Sequence, residues 1–107
     1  MNQGVKVTDI EALKAARNLI SLKDGWCQGH YLKEIEGQTQ FCVVGAIRTT
    51  TGGEQCSKLF FGFCVYLRES NICREGVATF NDTHTHAEVL QAFDGFIASL
   101  EAKETAS

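Results

Sequence analysis

Hydrophobic positions along the chain group into one continuous run and several periodic stretches. The run is Phe41-Cys42-Val43-Val44-Gly45-Ala46-Ile47, in which no side chain is polar, and Arg48-Thr49-Thr50-Thr51-Gly52-Gly53 closes it. A segment this apolar belongs in the interior, with Gly45 and Ala46 small enough to let a neighbouring backbone come close. Periodicity does not separate a buried strand from a buried helix over so few residues. Both readings stay open for it, and the rest of the chain reads as what packs around it.

Helical spacing comes first at Ile10, Leu13, Ala16 and Ile20, widened by Ala12 and Leu19, with Glu11, Lys14, Arg17 and Asn18 opposite. Thr8-Asp9-Ile10-Glu11 reads as a capping box at its start, and Asp24-Gly25 as its stop. Trp26 follows at once, and an aromatic just past a helix end is expected to fold back onto that helix. Two half-polar stretches, His30 to Ile35 and Gln38 to Phe41, flank Glu36-Gly37 and predict a small hairpin. Cys56, Leu59, Phe60, Phe63 and Leu67 then make a helix stripe, widened by Phe61, Cys64, Val65 and Tyr66. Their aromatic and β-branched character is the argument for a strand instead.

Asn71 to Phe80 shows no helical period. Arg74-Glu75-Gly76 reads as a turn, Val77 to Phe80 as a short extended approach, and Asn81-Asp82 as its end. Thr85-His86-Ala87-Glu88 is a second capping box, and Val89, Leu90, Phe93, Phe96, Ile97 and Leu100 follow as one stripe. The expected class is mainly α, a helical domain of three to four helices with a short β-hairpin at one edge; α+β is the alternative. One domain spans residues 1–107, with Met1–Lys6 and Ala102–Ser107 loosely ordered.

Composition narrows the function classes. Ten basic residues against thirteen acidic ones leave a net charge of −3, which argues against a domain built to hold nucleic acid phosphates. No stretch approaches the roughly 20 apolar residues of a membrane span, and no apolar run follows the first lysine as a signal peptide requires. The five cysteines, Cys27, Cys42, Cys56, Cys64 and Cys73, are odd in number and irregularly spaced. They read as reduced thiols of a cytoplasmic protein rather than a disulfide framework.

Candidate chemistry centres on Cys42. In a helical segment it would lie near the N-terminus, where the dipole lowers a thiol pKa and free N–H groups form an oxyanion hole. His84 or His86 would serve as base and Asp82 or Asn81 as orienter. Its flanks, Phe41 and Val43, are those of a buried hydrophobe, and that is the competing reading. Cys27-x-x-His30 with His84-x-His86 offers enough ligands for zinc, but His84-x-His86 straddles a helix start, so no metal and no cofactor is expected. Trp26, Gln28, Asn81 and Asp82 are the ligand-binding candidates, set against Asn81 and Asp82 as turn and cap residues. Gly52-Gly53 lacks the surrounding pattern of a phosphate loop.

Trp26-x-x-Gly29, Cys42-x-x-Gly45-Ala46, and Asn81-Asp82 ahead of a helix carrying Glu88-Val89-Leu90 resemble a family of short bacterial and bacteriophage proteins. That family is known only as a domain of unknown function. The likeness runs from about Ala12 to Ile97, with Phe80 where Trp is expected. It implies a small, largely helical intracellular domain and supplies no activity, cofactor or catalytic residue to carry over. The expected function is a non-catalytic interaction or structural module, with a protein partner or self-association through the excess apolar surface of Phe60, Phe61, Phe63 and Tyr66. The alternative is a small cysteine-dependent hydrolase or transferase using Cys42 with His84 or His86.

Overall fold

The computed structural model describes residues 7–106. Helix α1 (Val7–Leu19) leads through a 3-10 turn at Lys23–Gly25 into the hairpin of β1 (Leu32–Ile35) and β2 (Gln38–Phe41). Four helices follow: α2 (Val43–Thr50), α3 (Gly53–Glu69), α4 (Val77–Thr83) and α5 (His86–Ala106). Among the described residues the architecture is mainly α with one antiparallel hairpin. The radius of gyration, 13.3 Å, matches the about 13 Å of a single domain of this length.

The apolar run resolves into both of its readings in succession. Phe41 is the last residue of β2, and the helix begins two residues later. Cys42, extended at φ −83° and ψ 176°, is the N-cap, its sulfur accepting from the Gly45 N–H at 3.3 Å. All seven residues are buried, and α2 packs on α1, α3 and α4. The threonine run ends this helix because Thr49, Thr50 and Thr51 turn their hydroxyls back onto the carbonyls of Gly45, Ala46 and Ile47. Gly45 has a tertiary reason. A Cβ there would overlap the backbone carbonyl oxygen of Tyr31, so only glycine lets the root of the hairpin lie on α2.

The hairpin pairs Leu32 with Phe41 and Ile35 with Gln38. Glu36 and Gly37 both have positive φ, 51° and 82°, as a two-residue turn matched to strand twist requires. The α1 stripe buries Ile10, Leu13, Ala16 and Ile20, but the helix ends at Leu19, short of the expected stop. Gly25 instead presses against the Leu19 carbonyl, where a side chain would overlap it. The first capping box is corrected as well, because Thr8 stands inside α1. Asp9 is 2% exposed and accepts from Lys58 Nζ at 2.6 Å and Gln55 Nε2 at 3.0 Å, tying α1 to α3.

The second capping box forms as expected. Glu88 N–H donates to Thr85 Oγ1 at 3.2 Å and Thr85 N–H to Glu88 Oε1 at 2.9 Å. The backbone and hydroxyl of Thr85 hold the Glu88 carboxyl below its ordinary pKa. Helix α5 then runs through Ala106; Met1–Lys6 and Ser107 lie outside the described residues. Phe63 of α3 is fully buried, stacked on Phe96 at 4.7 Å and edge-on to Phe93 at 5.2 Å.

Val77–Phe80 is helical rather than extended, and Asn81 and Asp82 lie within α4 rather than at a turn. Gly76, at φ 100°, opens the helix, and Phe80 N–H closes its first bond onto the Gly76 carbonyl. The buried positions are Val77, Phe80 and Asn81. That is the i, i+3, i+4 stripe of a helix, with a polar residue as its third member.

Candidate functional site

The segment after the 3-10 turn crosses α4 and meets β2, and Asn81 is the residue on which these parts converge. Its side chain is fully buried. Oδ1 accepts from Trp26 Nε1 at 2.8 Å and from the Val43 N–H at 3.1 Å. Nδ2 donates to the Cys27 carbonyl at 3.0 Å and to Asp82 Oδ1 at 3.1 Å. Both lone pairs and both N–H groups of the amide are therefore used. One side chain thus joins the start of α2, the Trp26 indole and the Cys27 backbone. Gln28 completes the junction, donating from Nε2 to the carbonyls of Asn81 and His84 and so capping the end of α4. Asp82 accepts from the Gly29 N–H at 2.9 Å.

The four residues singled out as ligand-binding candidates, Trp26, Gln28, Asn81 and Asp82, are thus brought together. Their polar groups face one another. Trp26 packs against the core, its backbone bridges to Phe41 and its ring lies on His86 at 5.0 Å.

Beside this junction is a cavity of about 390 Å³ lined by Gly29, His30, Tyr31, Cys42, Ala78 and Asp82. Tyr31 and Ala78 carried no sequence signal, and Gly29 entered only through the Trp26-x-x-Gly29 spacing. Cys42 is 4% exposed. Burial pushes its thiol above the ordinary pKa, and the N–H groups of Gly45 and Val44 offset this only in part. Cys27, buried too, is raised first by burial and then by Cys42; its sulfur donates to the His30 carbonyl at 3.5 Å.

Neither candidate base lines that cavity. His84 Nδ1 meets the Phe80 carbonyl at 3.1 Å, and its ring lies on Phe80 at 4.4 Å. A carbonyl only accepts, so Nδ1 carries the proton. The same reasoning protonates His86 Nε2, which meets the Ile20 carbonyl and ties the start of α5 to the end of α1. The two histidines next to the Thr85 cap thus face different elements. Among the described residues no group of three or more His, Cys, Asp or Glu side chains is placed to hold a metal, and no helix is long and apolar enough to cross a membrane.

The apolar excess expected on α3 is mostly consumed. Phe63 is core, Phe60 and Tyr66 pack against it, and only Phe61 stands out at 68% exposure. The larger exposed apolar group is on the hairpin: Tyr31 at 57%, Leu32 at 52% and Ile35 at 43%.

No curated protein and no solved structure matches the chain. A family model does, over residues 5–99, which is most of the length. The protein belongs to DUF6197, a family of unknown function.

Proposed function

We propose that this domain is a non-catalytic interaction module that self-associates through the outer edge of its hairpin. The observation that carries the reading is β1, exposed at all four residues and paired on one side only among the described residues. Tyr31 accepts from the Cys42 N–H, so odd-numbered β1 residues bond inward and Leu32 and Glu34 present their N–H and C=O groups outward. Such an edge is a template for another strand.

A second copy fits it in one symmetric antiparallel register. Centred on Leu32, the pairing sets leucine against leucine, Tyr31 against Lys33 and His30 against Glu34, all favourable cross-strand pairs. Registers centred on Lys33 or Glu34 oppose like charges. The non-catalytic part of the reading is supported by the burial of Cys42 and by the separate commitments of His84 and His86. A cytoplasmic setting with reduced thiols is supported by the odd, irregularly spaced cysteines.

Sedimentation equilibrium tests it. The parent chain is expected to dimerise at high micromolar concentration and Leu32→Glu to remain monomeric with an unchanged circular dichroism spectrum. A parent that stays monomeric at millimolar concentration, or a Leu32→Glu variant that dimerises equally well, overturns it.

A further inference from the structure

Two of the buried thiols follow directly on a pair of bridged residues. Trp26 forms a parallel bridge with Phe41, and the Cys27 N–H donates to the Phe41 carbonyl at 3.0 Å. That bridge is isolated; one residue further along each segment stand Cys27 and Cys42, with Cys42 still in extended conformation before α2 begins. Neighbouring strands lie about 4.8 Å apart, inside the span of roughly 4.4–6.8 Å that the Cα atoms of a disulfide cover. Opposed residues of a ladder also project to the same face. Asn81 clamps both positions, through the Cys27 carbonyl and the Val43 N–H, so the spacing is built in. Cys42 helps to raise the pKa of Cys27, which agrees with their closeness.

We infer that Cys27 and Cys42 form a dithiol site that a hydroperoxide converts to a disulfide within the folded domain. Of the two, Cys42 reacts first because it lines the cavity of about 390 Å³; burial keeps its thiolate scarce, so the conversion is slow near neutral pH and quickens on the alkaline side. Its thiolate attacks the peroxide O–O bond, forming the S–O bond of a sulfenic acid and releasing water, or an alcohol from an organic peroxide. The Cys27 sulfur then attacks the Cys42 sulfur. The S–S bond forms as the S–O bond breaks, and the departing oxygen leaves as water with the Cys27 proton. Two electrons pass from the sulfurs to the peroxide. The hairpin lies inside the loop so closed, which fixes its root against α2 and shortens the freedom of the unfolded chain. Cys56, Cys64 and Cys73 take no part, since they lie on α3 and ahead of α4.

The test is peptide mapping of fully reduced protein exposed to hydrogen peroxide without denaturant, then alkylated in denaturant. A peptide joining Cys27 to Cys42, lighter by two hydrogens, is expected as the one disulfide formed, with Cys56, Cys64 and Cys73 unbridged. Cys27→Ser should instead leave a sulfenic acid on Cys42 that dimedone traps. Alkylation of every thiol after prolonged exposure overturns the inference. So does bonding among the other three cysteines, or over-oxidation of Cys42 beside an alkylated Cys27. Mapping of the parent decides the matter alone if Cys27→Ser fails to fold.

Discussion

Replacing Asn81 is expected to be among the most damaging single changes in this chain. Asn81→Ala leaves the buried Val43 N–H and the Cys27 carbonyl without their partner. Each such orphaned group costs about 1–3 kcal/mol, so the loss is about 2–6 kcal/mol. That is a large share of the about 5–15 kcal/mol by which a domain is stable. Asn81→Asp separates polarity from volume. It keeps an acceptor for Trp26 and Val43 but turns an oxygen toward the Cys27 carbonyl and the Asp82 carboxylate, so a comparable loss follows without any cavity. Those surroundings raise the pKa of the new carboxyl in the folded state. The variant should therefore regain stability on acidification and lose it as pH rises through that raised value. The assay is urea unfolding followed by far-UV circular dichroism, with fluorescence of Trp26, the one tryptophan, as a second probe. With m of about 1–2 kcal/mol/M, a loss of about 3 kcal/mol moves the midpoint by about 2 M. Variants that both stay within about 0.5 kcal/mol of the parent, as surface substitutions do, would refute the reasoning.

Gly45→Ala should destabilise by about 1–3 kcal/mol or more, because its methyl group meets backbone at Tyr31 rather than a side chain that can turn away; a neutral result in urea would sink this account. Thr85→Ala should cost about 1 kcal/mol, the usual loss at an N-cap, and Asp82→Ala should also destabilise by freeing the Gly29 N–H. A stabilised Asp82→Ala would identify that carboxylate as held for a ligand. Thiol titration of denatured, unreduced protein should find all five cysteines. In the folded protein iodoacetamide should reach half-buried Cys56 and Cys64 before Cys27 or Cys42. Because burial raises both of the latter, they favour the fold while protonated, and that stability falls as pH rises through their folded values. Their labelling should therefore quicken on the alkaline side, and rapid Cys42 labelling near neutral pH would contradict the structure.

Local pattern alone determined the hairpin with its two-residue turn, the α1, α3 and α5 stripes, and the Thr85–Glu88 box. In each, the interacting groups lie within one or two turns of chain, so spacing and residue type settle the outcome. The small size of Gly45 was legible too, though not that Tyr31 would be the backbone against it. The tertiary structure decided what local spacing leaves degenerate. Phe41 to Ile47 is apolar at every position, so its break from strand to helix came from contacts outside it: Cys42 N–H on the Tyr31 carbonyl and Asn81 on Val43 N–H. Helix α4 was concealed because its third buried position is an asparagine, which counts as core only once Trp26, Cys27 and Val43 are at hand to use its amide. Asp9 likewise read as part of a cap until Lys58 and Gln55 approached it from α3. Apolar burial announces itself in sequence because it needs only a face. A buried polar group needs particular partners, and those are brought together by the fold.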